Sequence, residues 1–376
     1  VKIVPIKNVG VYHDSDVNFW HFGRIQDYSG LSFRAPDYFL KSANLQSFLN
    51  SIHSVKFANY HVAFPANNGW LDRFHLTYPY VNHSIIVCSE LHQETIEQLY
   101  TLDLPNVSIF VCGYISKSFV HAKIYQWMDW FITAGDFYRR CNTTLLSKKI
   151  TNTDNKEKFF DVLLGCQRYH RDYINEYIDK NLADQVIKTY FRRWNVDLRQ
   201  TDHIFESTGI EFLEENNYFN TVHIVKYYGH KMNLSAIVPI DIYNRTHYSL
   251  VAETNYSNDF NFYTEKIVKP ILAKRLFIVV AGKNYLKNLR SLGFRTFSDV
   301  IDESYDQVED NRKRWNQALA EVSKLCNTPA QSINEQIKTI TEHNYNLMME
   351  DWNGKFIQNL VAVVEPYLTA DHKVVD

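Results

Sequence analysis

The chain predicts an α/β protein of two domains, each built on a parallel sheet, and three observations lead there. Buried-type strands are followed at once by segments of helical period: Ser84 to Glu90 leads into His92 to Leu102, and Val107 to Gly113 leads into a segment near His121 to Phe137. Consecutive strand-loop-helix units favour a parallel sheet covered by helices. The 376 residues suffice for two cores of ordinary size. Lys148 to Lys158 is a polar run without apolar periodicity, which places a linker there. The expected division is a first domain over residues 1–150, a second over 158–345, and a closing segment over 346–376.

The first domain opens with a strand-like run, Val1 to Val11, and a polar loop carrying His13, Asp14 and Asp16. Loops after first strands line clefts in open α/β sheets, so these three are candidates to meet an acceptor. Turn or capping roles for the two Asp stand beside that reading. Phe39 to Val55 repeats apolar residues at helical spacing, and His61 to Phe64 reads as a strand before the turn-rich Pro65 to Trp70. Glu90 arrives at the end of a strand and joins Asp14, Asp16, His13 and Asp72 as a possible general base.

The second domain begins with a strand, Phe159 to Gly165, and a helix running through Ile178. Arg168 and Arg171 near that helix start could hold phosphate oxygens, because guanidinium forks match them. The same spacing also suits two arginines covering an exposed helix face. Strand pieces follow at Val222 to Val225 and Ala236 to Ile240, then a strand from Tyr248 that delivers Glu253 and Asn255 to its carboxyl end as candidates to meet a nucleotide or sugar, a strand-end charge in solvent being the other reading of Glu253.

The densest chemistry lies in Tyr263 to Val280. Thr264 reads as a helix N-cap, Glu265 and Lys266 fall in the first turn, and Lys269 shares their face. Ile267, Ile271 and Leu272 face a core, and Phe277 to Val280 is a buried strand. Free N–H groups and the positive end of the helix dipole favour an anion there, flanked by the two lysines. An ordinary amphipathic helix with a solvated Lys pair has the same spacing. Beyond it come a helix over Lys283 to Leu292 with Gly293 as its C-cap, a short strand Phe294 to Phe297, and helical patterns over Asp310 to Leu325 and Ser332 to Val364. Asp302, Glu303 and Asp306 read as solvated or capping acids, and no metal is expected.

The formal net charge of −2 argues against affinity built on general phosphate neutralisation along DNA or RNA. Five scattered Cys (Cys88, Cys112, Cys141, Cys166, Cys326) show no metal-type spacing and read as thiols of a reducing compartment. Asn-X-Ser/Thr triplets at Asn82, Asn106, Asn142, Asn233, Asn244 and Asn255 are read as chance in an Asn-rich chain. No apolar run is long enough to span a bilayer and no leader pattern opens the chain, so a soluble cytoplasmic protein, in host cytoplasm if viral, is expected.

The run Tyr263-Thr264-Glu265-Lys266, followed by helix and strand, resembles the donor-site signature of fucosyltransferase-like glycosyltransferases of the GT-B fold. The resemblance covers Glu253 to Asp302, leaving most of the chain unmatched. It implies two Rossmann-like domains facing a central cleft, with Glu265 on the ribose hydroxyls and Lys266 neutralising a diphosphate. Those enzymes often open the donor domain with a strand, a Gly and a basic residue, which maps onto Gly165, Arg168 and Arg171. Ser291 to Phe297 and Ile301 to Asp306 are similar to bacterial and viral relatives. The resemblance further implies a last helix, Gly354 to Tyr367, crossing back to the first domain.

The expected function is therefore transfer of a sugar from a nucleotide-diphosphate sugar to an acceptor hydroxyl, inverting and independent of metal, with no bound cofactor. Expected partners are the nucleotide sugar and a carbohydrate or glycoconjugate acceptor. Two alternatives stay open: a phage-type sugar transferase acting on hydroxymethylated bases of DNA, and a non-catalytic nucleotide- or carbohydrate-binding protein of the same fold.

Overall fold

The computed structural model describes residues 91, 93–126, 155–191 and 224–351 without a break, scattered positions between 128 and 151 and between 352 and 362, and the backbone of five strands elsewhere. Val1–Asp129 with Asp351–Asp376 forms one compact unit, and Trp130–Glu350 forms another. The architecture is mixed α/β, with parallel sheets and helices in chain alternation. No helix among the described residues is long and apolar enough to cross a membrane.

In the first unit two three-residue strands, β1 (Phe22–Arg24) and β2 (Arg34–Pro36), pair antiparallel. The main sheet has β3 (Tyr60–Ala63), β4 (His83–Cys88), β5 (Val107–Val111) and β7 (Lys123–Gln126), hydrogen-bonded in that order and all parallel. Helix α1 (Gln93–Tyr100) joins β4 to β5, and β6 (Gly113–Ile115) follows β5. The strand-helix-strand unit read at Ser84 to Gly113 is thus present. The helix expected near His121 to Phe137 is present only in its second part: β7 occupies the first, and the described positions between Phe131 and Arg139 are helical. Asp103 gathers the backbone N–H groups of Val120, His121 and Ala122 at 2.7, 2.6 and 2.9 Å, which turns the chain just before β7. Tyr125 then stacks on Phe110 of the neighbouring strand, ring centres 4.9 Å apart.

The second unit holds β8 (Lys158–Cys166), α2 (Tyr169–Asn181), β9 (Val186–Phe191), and an antiparallel sheet of β10 (Ile210–Phe212), β11 (Ile224–Tyr227) and β12 (His230–Asn233). After it come α3 (Ile240–Arg245), β13 (Thr246–Ala252), β14 (Phe260–Phe262), α4 (Glu265–Leu272), β15 (Phe277–Val280), α5 (Tyr285–Ser291), α6 (Asn311–Leu325) and α7 (Ala330–Met348). Its main sheet runs β15-β13-β8-β9, all parallel. All seven residues of β13 and all four of β15 are buried, as strands covered on both faces must be. Helix α4 closes one face with Ile267, Val268, Ile271 and Leu272, all buried, each worth roughly 1.5–3 kcal/mol on removal from water.

Helix ends follow their local chemistry. Thr264 caps α4, its hydroxyl accepting from Lys266 N at 3.3 Å, and Asp310 caps α6, accepting from Lys313 N at 2.7 Å. Gly293, at φ +97°, follows the last turn of α5 with its N–H on the Arg290 carbonyl at 2.9 Å.

Two expected strands are absent for one reason. Ala236 ends a 3-10 turn and residues 237–239 run irregularly into α3, their polar backbone met by two tyrosines: Tyr227 OH donates to Val238 O at 2.8 Å, and Val238 N donates to Tyr138 Oη at 2.7 Å. Phe294 to Phe297 is likewise irregular. Asn344 bonds both the N–H and the C=O of Arg295, each at 2.8 Å, and Glu303 takes Phe297 N at 2.6 Å, while Phe294 and Phe297 are buried. Side chains here supply the partners that a sheet ladder would supply. The helical pattern read over Ser332 to Val364 is α7 as far as Met348, and the described positions between Trp352 and Ala362 are again helical.

Candidate functional site

In the second sheet the chain leaves β8 outward to β9, then returns to the other side of β8 at β13 and continues outward to β15. The carboxyl ends of β8 and β13 are therefore a topological switch point, the place where open α/β sheets form their ligand crevice. Gly165, Arg168 and Arg171 come from the first of these ends, and Glu253 and Asn255 from the second.

Arg171 is only 3% exposed and its guanidinium ties the two strand ends together. Nη1 donates to Cys166 O at 2.9 Å, and Nη2 to Glu253 O at 3.2 Å and Ala252 O at 3.5 Å. It positions the crevice rather than presenting a fork to solvent. A Cβ at Gly165 would meet Arg171 Nη1 at 3.5 Å, an ordinary contact, so packing against the guanidinium does not itself demand glycine there. Arg168 is the N-cap residue of α2, with extended backbone (φ −150°, ψ 151°), and its carbonyl accepts from Arg171 N and Asp172 N at 2.9 Å each.

Glu253 is fully buried and is neither a solvated strand-end charge nor open to a ligand. It accepts from Thr264 Oγ1 at 2.7 Å, Tyr285 OH at 2.8 Å, Thr254 N at 3.1 Å and Thr264 N at 3.4 Å. Burial pushes its carboxyl above the ordinary value, against the pull of Lys266 and the hydroxyls. This carboxylate pins the start of α4 to the end of β13. Tyr263 belongs to the same core: it is buried, stacks on Tyr285 with ring centres 4.5 Å apart, and donates to Tyr285 O at 2.7 Å.

The pinned helix start sets the cations. Lys266 Nζ lies 2.8 Å from Glu265 Oε1 and 3.2 Å from both Thr254 Oγ1 and Thr264 Oγ1, with its side chain 24% exposed. Burial acts to raise the Glu265 carboxyl, but Lys266 and Lys269 outweigh it and hold it below the usual range. Half-buried Lys269 has its ammonium pushed down to about 8, by burial first and by Lys266, with Glu265 opposing. Lys266, Lys269, Asp161, Tyr243 and Ser249 line a cavity of about 40 Å³. That is room for two or three waters, not a nucleotide, so any larger ligand lies outside it at the strand ends.

His170, between the two arginines in the chain, is wholly buried at this corner. Its Nε2 lies 2.8 Å from the Glu253 carbonyl, which fixes the neutral ring with that nitrogen protonated. Burial and the neighbouring Arg171 push its value down to about 3. The unfolded chain binds this proton from about pH 6.5 downward and the folded chain does not. Stability is therefore lost as pH falls through that window, by about 2 kcal/mol between pH 6.5 and pH 5. Urea titrations at the two pH values check this, with His170→Leu expected to lose that part of the slope; an equal slope in both proteins would refute it.

Asp161 and Arg275 escaped the sequence reading altogether. They form a buried ion pair at 2.8 Å beneath the cation cluster. The signal was present, because an acid inside the run Phe159-Phe160-Asp161-Val162-Leu163 must be paired if the run is a buried strand. Asp302 and Asp306 cap as expected, the latter accepting from Leu286 N at 2.8 Å and Lys287 N at 2.9 Å at the start of α5, but Asp306 and Glu303 are buried rather than solvated. Among the described residues no group of three His, Cys, Asp or Glu side chains could hold a metal ion. Asp14, Asp16 and Glu90, with His13 and Asp72, lie outside the described residues.

No protein-family model matches this chain, and no curated protein matches it either.

Proposed function

We propose that this chain is a nucleotide-sugar glycosyltransferase of the two-domain GT-B kind, working in the cytoplasm without a metal, whose second unit binds the donor. The observation that supports this most is the meeting of Arg168, Lys266 and Asn255 with a Thr264-capped helix start at the switch point of a parallel sheet. Such a corner suits a diphosphate, because cations and the positive end of the helix dipole converge there.

In this reading Lys266 exchanges Glu265 for the diphosphate, and the released Glu265 carboxylate accepts from the ribose hydroxyls. The acceptor oxygen attacks the anomeric carbon while the bond to the diphosphate oxygen breaks. The bond's electron pair leaves on the diphosphate, where Lys266 and Arg168 stabilise it, and the hydroxyl proton passes to a general base. Asp14, Asp16 and Glu90 are the sequence candidates for that base.

A thermal-shift screen of GDP-, UDP- and CMP-sugars tests the reading. At a hundred times its Kd a ligand adds about 2.7 kcal/mol, a rise of about 5–10 °C for a unit of this size. One donor class is expected to give that rise in the wild type and little in Glu265→Ala or Lys266→Ala. No response to any nucleotide sugar would remove the reading, and an equal response in Glu265→Ala would remove the ribose assignment. Saturable binding without hydrolysis or transfer would favour a binding protein instead.

A further inference from the structure

The loop after β13, residues 253–259, is fastened on both sides of one position. Arg314 Nη2 donates to Tyr256 O at 3.2 Å. Asn258 is bonded at both ends of its amide, Nδ2 to Glu309 O at 2.8 Å and Oδ1 from Lys283 N at 3.1 Å. Gly282 lets its backbone press against Ser257, where an added Cβ would stand 1.9 Å from the Ser257 carbonyl oxygen. On the other side, Thr254 Oγ1 holds Lys266 Nζ, and Thr254 N is held by Glu253.

Asn255 stands between these anchors with neither end of its amide used. Both Oδ1 and Nδ2 are buried, and neither has a hydrogen-bond partner among the described residues. Burying an unpaired amide is unfavourable, and folded proteins leave few such groups. The anchors hold the backbone on both sides of Asn255, while the residue as a whole is only partly buried, so its side chain can rotate to meet a ligand. Its amide offers a donor and an acceptor side by side, one residue from the Thr254 hydroxyl that touches Lys266.

We infer that Asn255 is a base-reading residue, pairing its amide as donor and acceptor together with the edge of the nucleobase of a nucleoside diphosphate whose phosphates lie at Lys266 and Arg168. The inference rests on the nucleotide reading of this crevice. A flat amide with one donor and one acceptor complements adjacent groups on a base edge and rejects a base that presents the wrong pair. Phosphate offers acceptors alone and leaves the Asn255 carbonyl unmatched.

Calorimetric titration of GDP, UDP, CDP, ADP and inorganic pyrophosphate into wild type, Asn255→Ala and Asn255→Asp is the test. The wild type binds one nucleoside diphosphate at least about tenfold more tightly than the others, and Asn255→Ala loses about ten- to a hundredfold for that one alone. Pyrophosphate binds both proteins equally, and ligand-free Asn255→Ala melts no lower than wild type, since it removes an unpaired group. Asn255→Asp keeps the acceptor but not the donor, so its loss for the same nucleotide shows that both halves of the amide are read. Unchanged base preference in Asn255→Ala, an equal loss for pyrophosphate, or a lowered melting temperature each overturns the inference while leaving nucleotide binding intact. Failure of every nucleoside diphosphate to bind the wild type overturns the nucleotide reading itself, and this inference with it.

Discussion

Arg275→Met lowers the unfolding free energy of the second unit by about 4 kcal/mol, because it leaves Asp161 charged and buried without its partner. Arg275 is 3% exposed and gives every guanidinium nitrogen a use. Nη2 donates to Asp161 Oδ1, Thr246 Oγ1 and Tyr248 O, all at 2.8 Å; Nη1 donates to Tyr243 O at 2.9 Å and Thr246 O at 2.6 Å; Nε donates to Ser249 Oγ at 3.2 Å. The Tyr243 ring lies against the same guanidinium at 4.3 Å. Replacing a buried ion pair by two apolar residues is often neutral, but here three carbonyls also lose their donor. The double variant Asp161→Leu with Arg275→Met is therefore expected to recover only part of the loss. Urea unfolding of the full chain measures both. A shift below about 1 kcal/mol for Arg275→Met would show that the pair does not anchor this sheet, and complete recovery in the double variant would show that the carbonyls matter little.

Glu253→Ala has the second large effect, about 3–4 kcal/mol, and it reaches the candidate site. The deletion orphans Tyr285 OH and Thr254 N, removes the acceptor of Thr264 Oγ1, and opens a void at a fully buried position. Thr264 sets both the start of α4 and one contact of Lys266 Nζ, so the cation loses its placement as well as the fold its tie. Glu253→Gln keeps the volume, but its NH2 group faces donors that need an acceptor, and it is expected to lie between wild type and Ala. Unfolding midpoints and nucleotide affinity, followed together, check the coupling. Lost stability with unchanged nucleotide affinity would separate the tie from the site.

These two predictions fall on residues that the linear pattern treats very differently. Glu253 was visible as a strand-end residue near the motif but was offered as a ligand contact or a solvated charge, and it is neither. Arg171 was visible as a phosphate fork and turns out to clamp carbonyls. For both, residue type and spacing identify a polar group near a strand end and nothing more. Whether such a group faces a ligand or a neighbour depends on elements 80 residues away or at the far side of the sheet.

Strand and helix positions at the heart of the second unit were legible because their causes are local. The apolar run of β8 around Asp161 and the buried strand at Phe277–Val280 declare themselves by composition, and the start of α4 by Thr264 followed by Glu265 and Lys266. The same holds for Gly293 behind α5 and Asp310 ahead of α6. Segments 236–240 and 294–297 also read as strands yet are not, since Tyr138, Tyr227, Asn344 and Glu303 arrive from elsewhere to bond their backbones. The switch point is also a property of strand order, which no local pattern encodes.

What the amino-acid order settled here is therefore the α/β class, the positions of β8, β13, β15, α2 and α4 to α7 in the second unit, and the set of cations near Thr264. Strand order, the burial of Glu253 and Arg171, the Asp161 and Arg275 pair, and the unpaired amide of Asn255 came from the folded chain. The physical reason is range. Propensity, capping and periodicity act within a few residues, whereas the partner of a buried polar group is chosen by whichever distant segment packs against it.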